Sequence, residues 1–217
     1  MIINLNLQGK KILVIGGGNE AQKRINSLLK QDCKIIVVSD MINKSISNLV
    51  KKKKIEFKKQ KIENTNILTT EKPSMVITTT NDRKINQQII NKAKKSKIIA
   101  YSSDSPESSD FANPAIIDFD NTVQIAIFTG GKSPAMSKKI KEQVEKACKK
   151  TITKEDINQI KIQQIARNLA KSKISTQMKR KVFLNSIMDD KVIKQLIKDG
   201  QPKKAEKYII TILRDWK

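Results

Sequence analysis

The sequence predicts an α/β protein that begins with a doubly wound parallel sheet and continues with a small α+β region and a helical C-terminal domain. Three observations support this prediction. An apolar segment runs directly into three glycines, strand-like and helix-like segments alternate up to Tyr101, and a helical spacing of apolar residues dominates after Thr151. The predicted domains are residues 1–113, 114–150 and 151–217.

The glycine turn follows the first predicted strand. Residues 12–15 are continuously apolar, as a parallel strand buried on both faces requires, and residues 16–18 are all glycine. Gly16 is expected to make the tight turn, and Gly18 to let the backbone approach a pyrophosphate at the start of the next helix. Glycine runs also occur in loops without a ligand. The dinucleotide-binding residues predicted here are Gly16, Gly17, Gly18, Asn19 and Glu20.

An aspartate follows the second predicted strand. Residues 33–38 are apolar and β-branched, and they lead into Ser39 and Asp40. A carboxylate at this place in a Rossmann-type unit hydrogen-bonds the ribose hydroxyls of NAD, and it repels the ribose phosphate of NADP. Asp40 therefore predicts NAD as the cofactor. The alternative interpretation is a strand-end aspartate that caps the following helix.

Strand and helix patterns continue to alternate through the next segments. Strands are predicted at residues 55–57, 73–80 and 97–101, with helices at 43–53 and from Asn81-Asp82 to Ala93. This alternation is typical of a Rossmann-type doubly wound sheet, in which ligands bind beyond the carboxyl ends of the strands. The segments expected to converge on one crevice are residues 16–18, Asp40, residues 78–81 and residues 102–106. Within them Thr79, Thr80 and Asn81 are predicted to bind the cofactor.

The pattern changes after residue 114. Residues 115–118 and 122–129 predict a hairpin, and the segment at 130–134 breaks the chain before a helix that runs to about Lys149. Four amphipathic helical faces follow, and Gly200 and Pro202 separate the last two helices. The apolar residues predicted to form these faces are Ile157, Ile160, Ile165 and Leu169; Val182, Phe183 and Ile187; Val192, Leu196 and Ile197; and Ile209, Ile212 and Leu213.

The chain is strongly basic, with 44 Lys and Arg against 21 Asp and Glu and a net charge of +23. These charges are spread along the sequence, with one tight lysine cluster at residues 51–54, and aromatic residues for base stacking are few. A nucleic-acid partner is therefore disfavoured relative to a solvated basic surface. A small polyanionic substrate suits this charge, because steering such a ligand requires only a positive cleft.

Composition also restricts the chemistry. Histidine is absent, so a proton acceptor must be a carboxylate, Lys, Tyr, Cys or the substrate itself. Cys33 and Cys148 lie far apart, and no metal site is predicted. The first ten residues lack the pattern of a signal peptide, and no apolar run reaches membrane-spanning length. We expect a cytoplasmic protein with no membrane partner.

Four segments together resemble a known family. They are residues 16–18; Thr80-Asn81-Asp82 with Asn86; Ser103-Asp104-Ser105-Pro106 followed by Phe111 and residues 114–118; and Gly130-Gly131-Lys132-Ser133-Pro134. Their order and residues resemble the precorrin-2 dehydrogenase family, the module also found in sirohaem synthases. The similarity covers roughly residues 3–150. The two later motifs are far more specific than the glycine turn.

The resemblance implies an oxidoreductase that uses NAD to convert precorrin-2 into sirohydrochlorin in sirohaem biosynthesis. Insertion of ferrous iron into that product, a lyase activity, is a second activity of some members. The resemblance also implies a homodimer with residues 114–150 as the dimerisation region, and it gives Asp104 the role of the catalytic aspartate. Thr129 falls where one multifunctional homologue carries a phosphorylatable serine.

The substrate implied by the resemblance is an anionic tetrapyrrole with many carboxylates. Lys132 or Lys138 could hold it at the turn before the helix that starts at Ser133. The residues predicted to bind substrate are Ser103, Gly130, Gly131, Lys132 and Ser133. For Asp104 the alternative is a structural turn aspartate before Ser105-Pro106.

Two other functions remain open at this point. A non-catalytic NAD-sensing module would use the same glycine turn, but it has no need for the Asp104 and Gly130-Gly131 motifs. A nucleic-acid-binding protein would use the basic surface and bind duplexes with a steep salt dependence.

Overall fold

The computed structural model describes residues 2–216. They divide into two compact units, with the boundary between Asn113 and Pro114. The first unit is an α/β layer structure. The second combines a β-hairpin with five helices.

A five-stranded parallel sheet forms the centre of the first unit. Its spatial order is β3-β2-β1-β4-β5, so the chain winds outward in one direction from β1 to β3 and returns to the other side of β1 at β4. The carboxyl ends of β1 and β4 therefore flank the topological switch point, where open α/β sheets bind ligands. The strands are β1 (Lys11–Ile15), β2 (Lys34–Ser39), β3 (Glu56–Lys59), β4 (Met75–Thr78) and β5 (Ile99–Ser102).

Helices cover both faces of this sheet. The helices are α1 (Asn19–Leu28), α2 (Lys44–Lys51), α3 (Asn66–Glu71) and α4 (Arg83–Lys95). On β1, Ile12 and Val14 belong to the core that includes α1 and α2, while Leu13 and Ile15 belong to the core that includes α3 and α4. This explains the uninterrupted apolar run in β1, because each side chain has a helix layer to pack against. The predicted doubly wound parallel sheet is confirmed.

Helix α3 is absent from the sequence prediction, since its six residues, Asn-Ile-Leu-Thr-Thr-Glu, are too few to show a helical period. It ends on Glu71, whose side chain is buried. Lys11 Nζ lies 3.4 Å from Glu71 Oε2 and donates to the Glu71 carbonyl at 2.7 Å, and Lys58 Nζ bonds Oε1. The hydrogen bond from Lys58 is the main cause of a lowered pKa for Glu71, and Lys11 lowers this pKa further.

Replacing Glu71 by Gln should destabilise the first unit by about 1–2 kcal/mol at neutral pH, because two lysines lose their carboxylate partner. The folded pKa of Glu71 is lowered, so its contribution is complete above the ordinary Glu pKa of about 4.3 and is lost as the pH falls through the folded value. Urea unfolding followed by circular dichroism should therefore show a difference that shrinks below pH 4. Glu63→Gln, which removes an exposed pair with Lys61, is the matched control and should change stability little.

The second unit begins with an antiparallel hairpin, as predicted. Strands β6 (Ala115–Phe119) and β7 (Val123–Ile127) pair through a turn in which Asp120 and Asn121 both have positive φ, 56° and 52°. Aspartate and asparagine tolerate this conformation better than most residues. The helices are α5 (Pro134–Thr151), α6 (Lys154–Lys173), α7 (Gln177–Asp189), α8 (Lys191–Lys198) and α9 (Pro202–Arg214).

Some of the predicted helix faces are wrong in detail. Ile160, Val182 and Val192 are exposed, whereas Ile162, Ala166 and Ala170 are buried in the helical core. Helix α6 contacts α7, α8 and α9, so its buried surface is wider than one apolar stripe and includes alanines that allow close approach. Within residues 2–216, no helix combines the length and hydropathy needed to cross a bilayer.

Candidate active site

The glycine turn follows β1 and lies beside the carboxyl ends of β2 and β4. Gly16 has φ +112°, and a Cβ on this residue would lie 2.4 Å from Thr79 Oγ1 and 3.0 Å from the Thr79 carbonyl carbon. Gly16 N donates to Val38 O at 2.9 Å, while Thr79 donates to Ile15 O from N at 2.8 Å and from Oγ1 at 3.0 Å. A larger residue at position 16 would be strained by its backbone and blocked by Thr79. The turn therefore sits between the ends of β2 and β4.

The loop after β2 packs directly on Gly17. A Cβ at Gly17 would lie 2.0 Å from Met41 O and 2.8 Å from Ile42 Cγ2. Asn43 N donates to Gly17 O at 2.9 Å, and Asn43 Nδ2 donates to Gln22 Oε1 at 2.8 Å. The sequence did not predict that this loop packs on the glycine turn. The residues around Asn43 give no local signal that its backbone and side-chain amides bond Gly17 and Gln22.

Gly18 faces open space. A Cβ there would meet no atom within 4 Å, and Gly18 is the N-cap of α1 with φ −86° and ψ −162°. Glycine offers no side chain to cap the helix, so the N–H groups of its first turn are free to bind an anion. Glu20, in the same turn, is engaged by Lys23 at 2.5 Å and by Arg24 at 3.5 Å. The open space over Gly18 and the uncapped helix start fit the pyrophosphate of a dinucleotide.

Asp40 lies exposed at the carboxyl end of β2. Its Oδ1 accepts from Met41 N at 2.9 Å and from Ser39 Oγ at 3.3 Å. The cap of α2 is Asn43, whose Oδ1 accepts from Ile46 N at 2.9 Å. The alternative interpretation of Asp40 as a helix cap is therefore wrong, and its carboxylate lies at the sheet edge, beside the loop that covers Gly17.

The end of β4 is organised by a buried amide. Asn86 accepts from Thr80 Oγ1 at 2.7 Å and donates from Nδ2 to Thr80 O at 2.9 Å. Asp82 caps α4 by accepting from the N–H groups of Lys84 and Ile85, and Asn81 is exposed between these fixed residues. The Thr80-Asn81-Asp82 motif with Asn86 thus forms one hydrogen-bonded turn next to the switch point.

Asp104 stands on the turn after β5. Ser102 Oγ donates to Asp104 Oδ1 at 2.5 Å, and Ser102 Oγ lies 3.0 Å from Thr78 Oγ1. Ser103 donates to Thr78 O from its N at 3.1 Å and from Oγ at 2.9 Å. Asp104 itself is exposed. An accessible carboxylate is thus held by a buried serine at the same sheet edge as the glycine turn.

The loop that follows Asp104 is fixed to β5 by polar contacts. Ser102 N donates to Ser109 Oγ at 2.9 Å, and Ala100 exchanges hydrogen bonds with Asp110, whose N donates to Ala100 O and whose Oδ2 accepts from Ala100 N. A hydrogen bond from Ser105 lowers the pKa of Glu107. These contacts, with a single 3₁₀ turn at Pro106–Ser108, give the segment after Asp104 a defined shape.

The second unit carries the remaining predicted site residues. Gly130 and Gly131 have φ +66° and +75°, and Lys132 N donates to Thr129 O at 3.2 Å. Ser133 Oγ caps α5 by accepting from Met136 N at 3.2 Å. The turn places Lys132 in solvent beside a helix N-terminus, and Thr129 Oγ1 lies 2.8 Å from Ser137 Oγ.

Comparisons with known proteins agree with this arrangement. Residues 3–115 match the family described as "Putative NAD(P)-binding", and residues 120–147 match the central part of sirohaem biosynthesis proteins. The siroheme synthase of Actinobacillus pleuropneumoniae serotype 7 is 31% identical over 143 residues, which are 66% of this chain and 29% of that protein. The siroheme synthase of Blochmanniella pennsylvanica is 28% identical over 207 residues, which are 95% of this chain and 42% of that protein.

The chain thus spans less than half the length of these curated relatives. A solved structure named SirC, precorrin-2 dehydrogenase, superimposes with a TM-score of 0.71 at 21% identity, covering 97% of this chain and 99% of that chain. The predicted fold class is confirmed by this likeness, and the resemblance to the sirohaem-pathway family by the matches together. Because the first family model covers residues 3–115, more than half of the 217 residues, the chain belongs to this NAD(P)-binding family.

Proposed function

We propose that the protein catalyses the NAD-dependent oxidation of precorrin-2 to sirohydrochlorin. The observation that carries the proposal is the position of Asp104, an exposed carboxylate fixed by a buried serine at the sheet edge that also bears the glycine turn. The siroheme synthase relatives and the fold shared with a protein named precorrin-2 dehydrogenase support it.

The reaction removes a hydride and a proton from the reduced tetrapyrrole. When bound, the nicotinamide supplies the hydride acceptor. Gly18 and the start of α1 would hold the pyrophosphate, and Thr79, Thr80 and Asn81 line the switch point beyond it. Asp104 would accept the proton that leaves the macrocycle or hydrogen-bond its pyrrole N–H groups, since the chain has no histidine to do either.

The proposed cofactor preference rests on Asp40. Its exposed carboxylate follows β2, where it can accept hydrogen bonds from ribose hydroxyls, and its negative charge disfavours a ribose phosphate. The family description covers both NAD and NADP, so this preference is proposed from the local chemistry of Asp40.

We also propose roles for the residues implied to bind substrate. Ser103 follows β5 next to Asp104, while Gly130, Gly131, Lys132 and Ser133 form the turn before α5. The exposed Lys132 and the start of α5 suit the carboxylate arms of precorrin-2. The chain as a whole carries a net charge of +23, which attracts an anionic ligand of this kind.

Iron insertion is a second reaction proposed for the same site, with ferrous iron as substrate. In residues 2–216 there is no group of three His, Cys, Asp or Glu side chains placed to hold a metal ion. The proposal therefore assigns only Asp104, which would take up pyrrole protons as the metal enters the macrocycle. Adding ferrous iron to the completed oxidation should change the product spectrum if the protein catalyses this step.

The deciding experiment supplies purified protein with precorrin-2 and NAD under anaerobic conditions and follows sirohydrochlorin by absorbance. Turnover above the spontaneous rate, faster with NAD than with NADP, is expected. An NAD-sensing module would instead bind NAD in calorimetry with an affinity unaffected by tetrapyrrole, and would leave precorrin-2 unchanged.

We propose three regions along the chain: residues 1–113 as the NAD-binding domain, residues 114–150 as a dimerisation region and residues 151–217 as a helical domain. In this region only Ile117 is fully buried, and Ile116, Phe128 and Met136 are exposed. Among residues 2–216, no further strand pairs with the outer edge of β6 or β7. Exposed apolar side chains and free edges support pairing with a second copy.

Phe128→Asp should shift the protein from dimer to monomer in analytical ultracentrifugation. Phe128 is 51% exposed in the single chain, and a charge at a packed interface would weaken association at least tenfold. Ile210→Asp on α9 is the matched control, since Ile210 is also 51% exposed. A wild-type protein that sediments as a monomer at micromolar concentration would contradict the dimer.

The proposed location is the cytoplasm. Cys33 and Cys148 are both free thiols, as expected for a protein of a reducing compartment. Burial is the main cause of a raised pKa for the Cys33 thiol, which makes it a poor nucleophile.

A further inference from the structure

Asp104 is the end of a chain of three hydrogen-bonded side chains, which we call the hydroxyl chain: Thr78, Ser102 and Asp104. Thr78 ends β4 and Ser102 ends β5, and the two residues are direct partners in the parallel register. Their hydroxyl oxygens lie 3.0 Å apart, and Ser102 Oγ lies 2.5 Å from Asp104 Oδ1.

The direction of the hydroxyl chain follows from its chemistry. An ionised carboxylate can only accept hydrogen bonds, so Ser102 donates its single hydroxyl proton to Asp104. Thr78 must then donate to Ser102, because the serine has no second proton to give. Both hydroxyls are buried, with Thr78 0% and Ser102 1% exposed, whereas Asp104 is exposed. In such surroundings each hydrogen bond is stronger than in water, and successive bonds polarise one another.

Further hydrogen bonds hold the strand ends that carry Thr78 and Ser102. Ser102 N donates to Ser109 Oγ, and Ser103 bonds the Thr78 carbonyl through both its N and its Oγ. Asp104 is therefore not a freely rotating surface carboxylate, because Oδ1 is fixed by Ser102. This leaves Oδ2 as the atom available to a ligand at the sheet edge.

We propose that Thr78 and Ser102 are positioning residues for the oxidation, which fix the orientation of Asp104 so that Oδ2 meets the substrate. The inference rests on the proposed function, since it assigns Asp104 a part in the reaction. The inference goes beyond the proposed function because it assigns a positioning role to two buried hydroxyls, those of Thr78 and Ser102.

The test measures kcat and KM for four variants in the precorrin-2 assay. Ser102→Ala should lower kcat about tenfold while KM for NAD stays within about twofold, because the glycine turn and Asp40 are untouched. Thr78→Val should lower kcat about threefold, and Thr78→Ser, which keeps the hydroxyl, should restore it. Ser108→Ala is the matched control, since the Ser108 hydroxyl bonds the Ser105 carbonyl in the same loop without touching Asp104.

A coupled measurement separates positioning from loss of structure. In an Asp104→Asn background, Ser102→Ala should cause little further loss of kcat, whereas a purely structural effect would multiply both losses. If Ser102→Ala does not fold, the Thr78→Val and Thr78→Ser pair answers the same question. If the wild type is active and Ser102→Ala has the same kcat, this inference is wrong and the proposed function stands. If the wild type itself shows no turnover, the proposed function is wrong as well.

Discussion

Asp104→Asn should reduce the rate of precorrin-2 oxidation about 10²- to 10³-fold, within the range of about 10²- to 10⁴-fold expected when a proton-accepting side chain is lost. Asparagine keeps the shape of the side chain, and its carbonyl oxygen can still accept the hydrogen bond from Ser102. It carries no negative charge and cannot take a proton. The loss should appear in kcat, while NAD affinity measured by calorimetry stays unchanged.

Glu107→Gln provides the matched control for Asp104→Asn. Glu107 is an exposed carboxylate in the same loop, and it bonds Ser105 rather than a β-strand residue. Its replacement should leave kcat within about twofold, since the ordinary effect of a surface substitution is small. An Asp104→Asn enzyme with near wild-type turnover would show that Asp104 is a structural turn residue, the alternative considered from the sequence.

The central fold was predictable because its signals are local. The apolar run in β1 and the three glycines lie within a few residues of each other, and alternation of strands and helices defines a parallel sheet without knowledge of any distant contact. The hairpin of β6 and β7 carries its own turn residues, Asp120 and Asn121. Helix α3 was not predicted, because its six residues are too few to show a helical repeat of apolar side chains.

Contacts across the sheet edge were not predictable in the same way. Ser102 and Thr78 lie far apart in sequence, and only the register of β4 against β5 makes their hydroxyls neighbours. The contact of Asn43 with Gly17 also depends on where the loop after β2 folds back. The burial of Ala166 and Ala170 is set by the neighbouring helices, which no pattern within α6 reveals.

Gly18→Asp should weaken NAD binding by at least about 100-fold while leaving the fold intact. The backbone of Gly18, with φ −86° and ψ −162°, suits an N-cap residue, and a Cβ meets no atom within 4 Å. Aspartate there would accept from the N–H groups of the first turn of α1, so the free energy of unfolding should stay equal or rise by a few tenths of a kcal/mol. The same carboxylate would occupy the proposed pyrophosphate position and repel its charge.

Calorimetric titration with NAD and thermal unfolding, measured on the same preparation, separate these two effects. Thr176→Asp is the matched control, because it places a carboxylate at the N-cap of α7, where Thr176 already accepts from Lys179 N. That variant should bind NAD like the wild type. If Gly18→Asp folds and still binds NAD normally, the pyrophosphate does not lie on the start of α1, and the cofactor site must be placed elsewhere on the sheet edge.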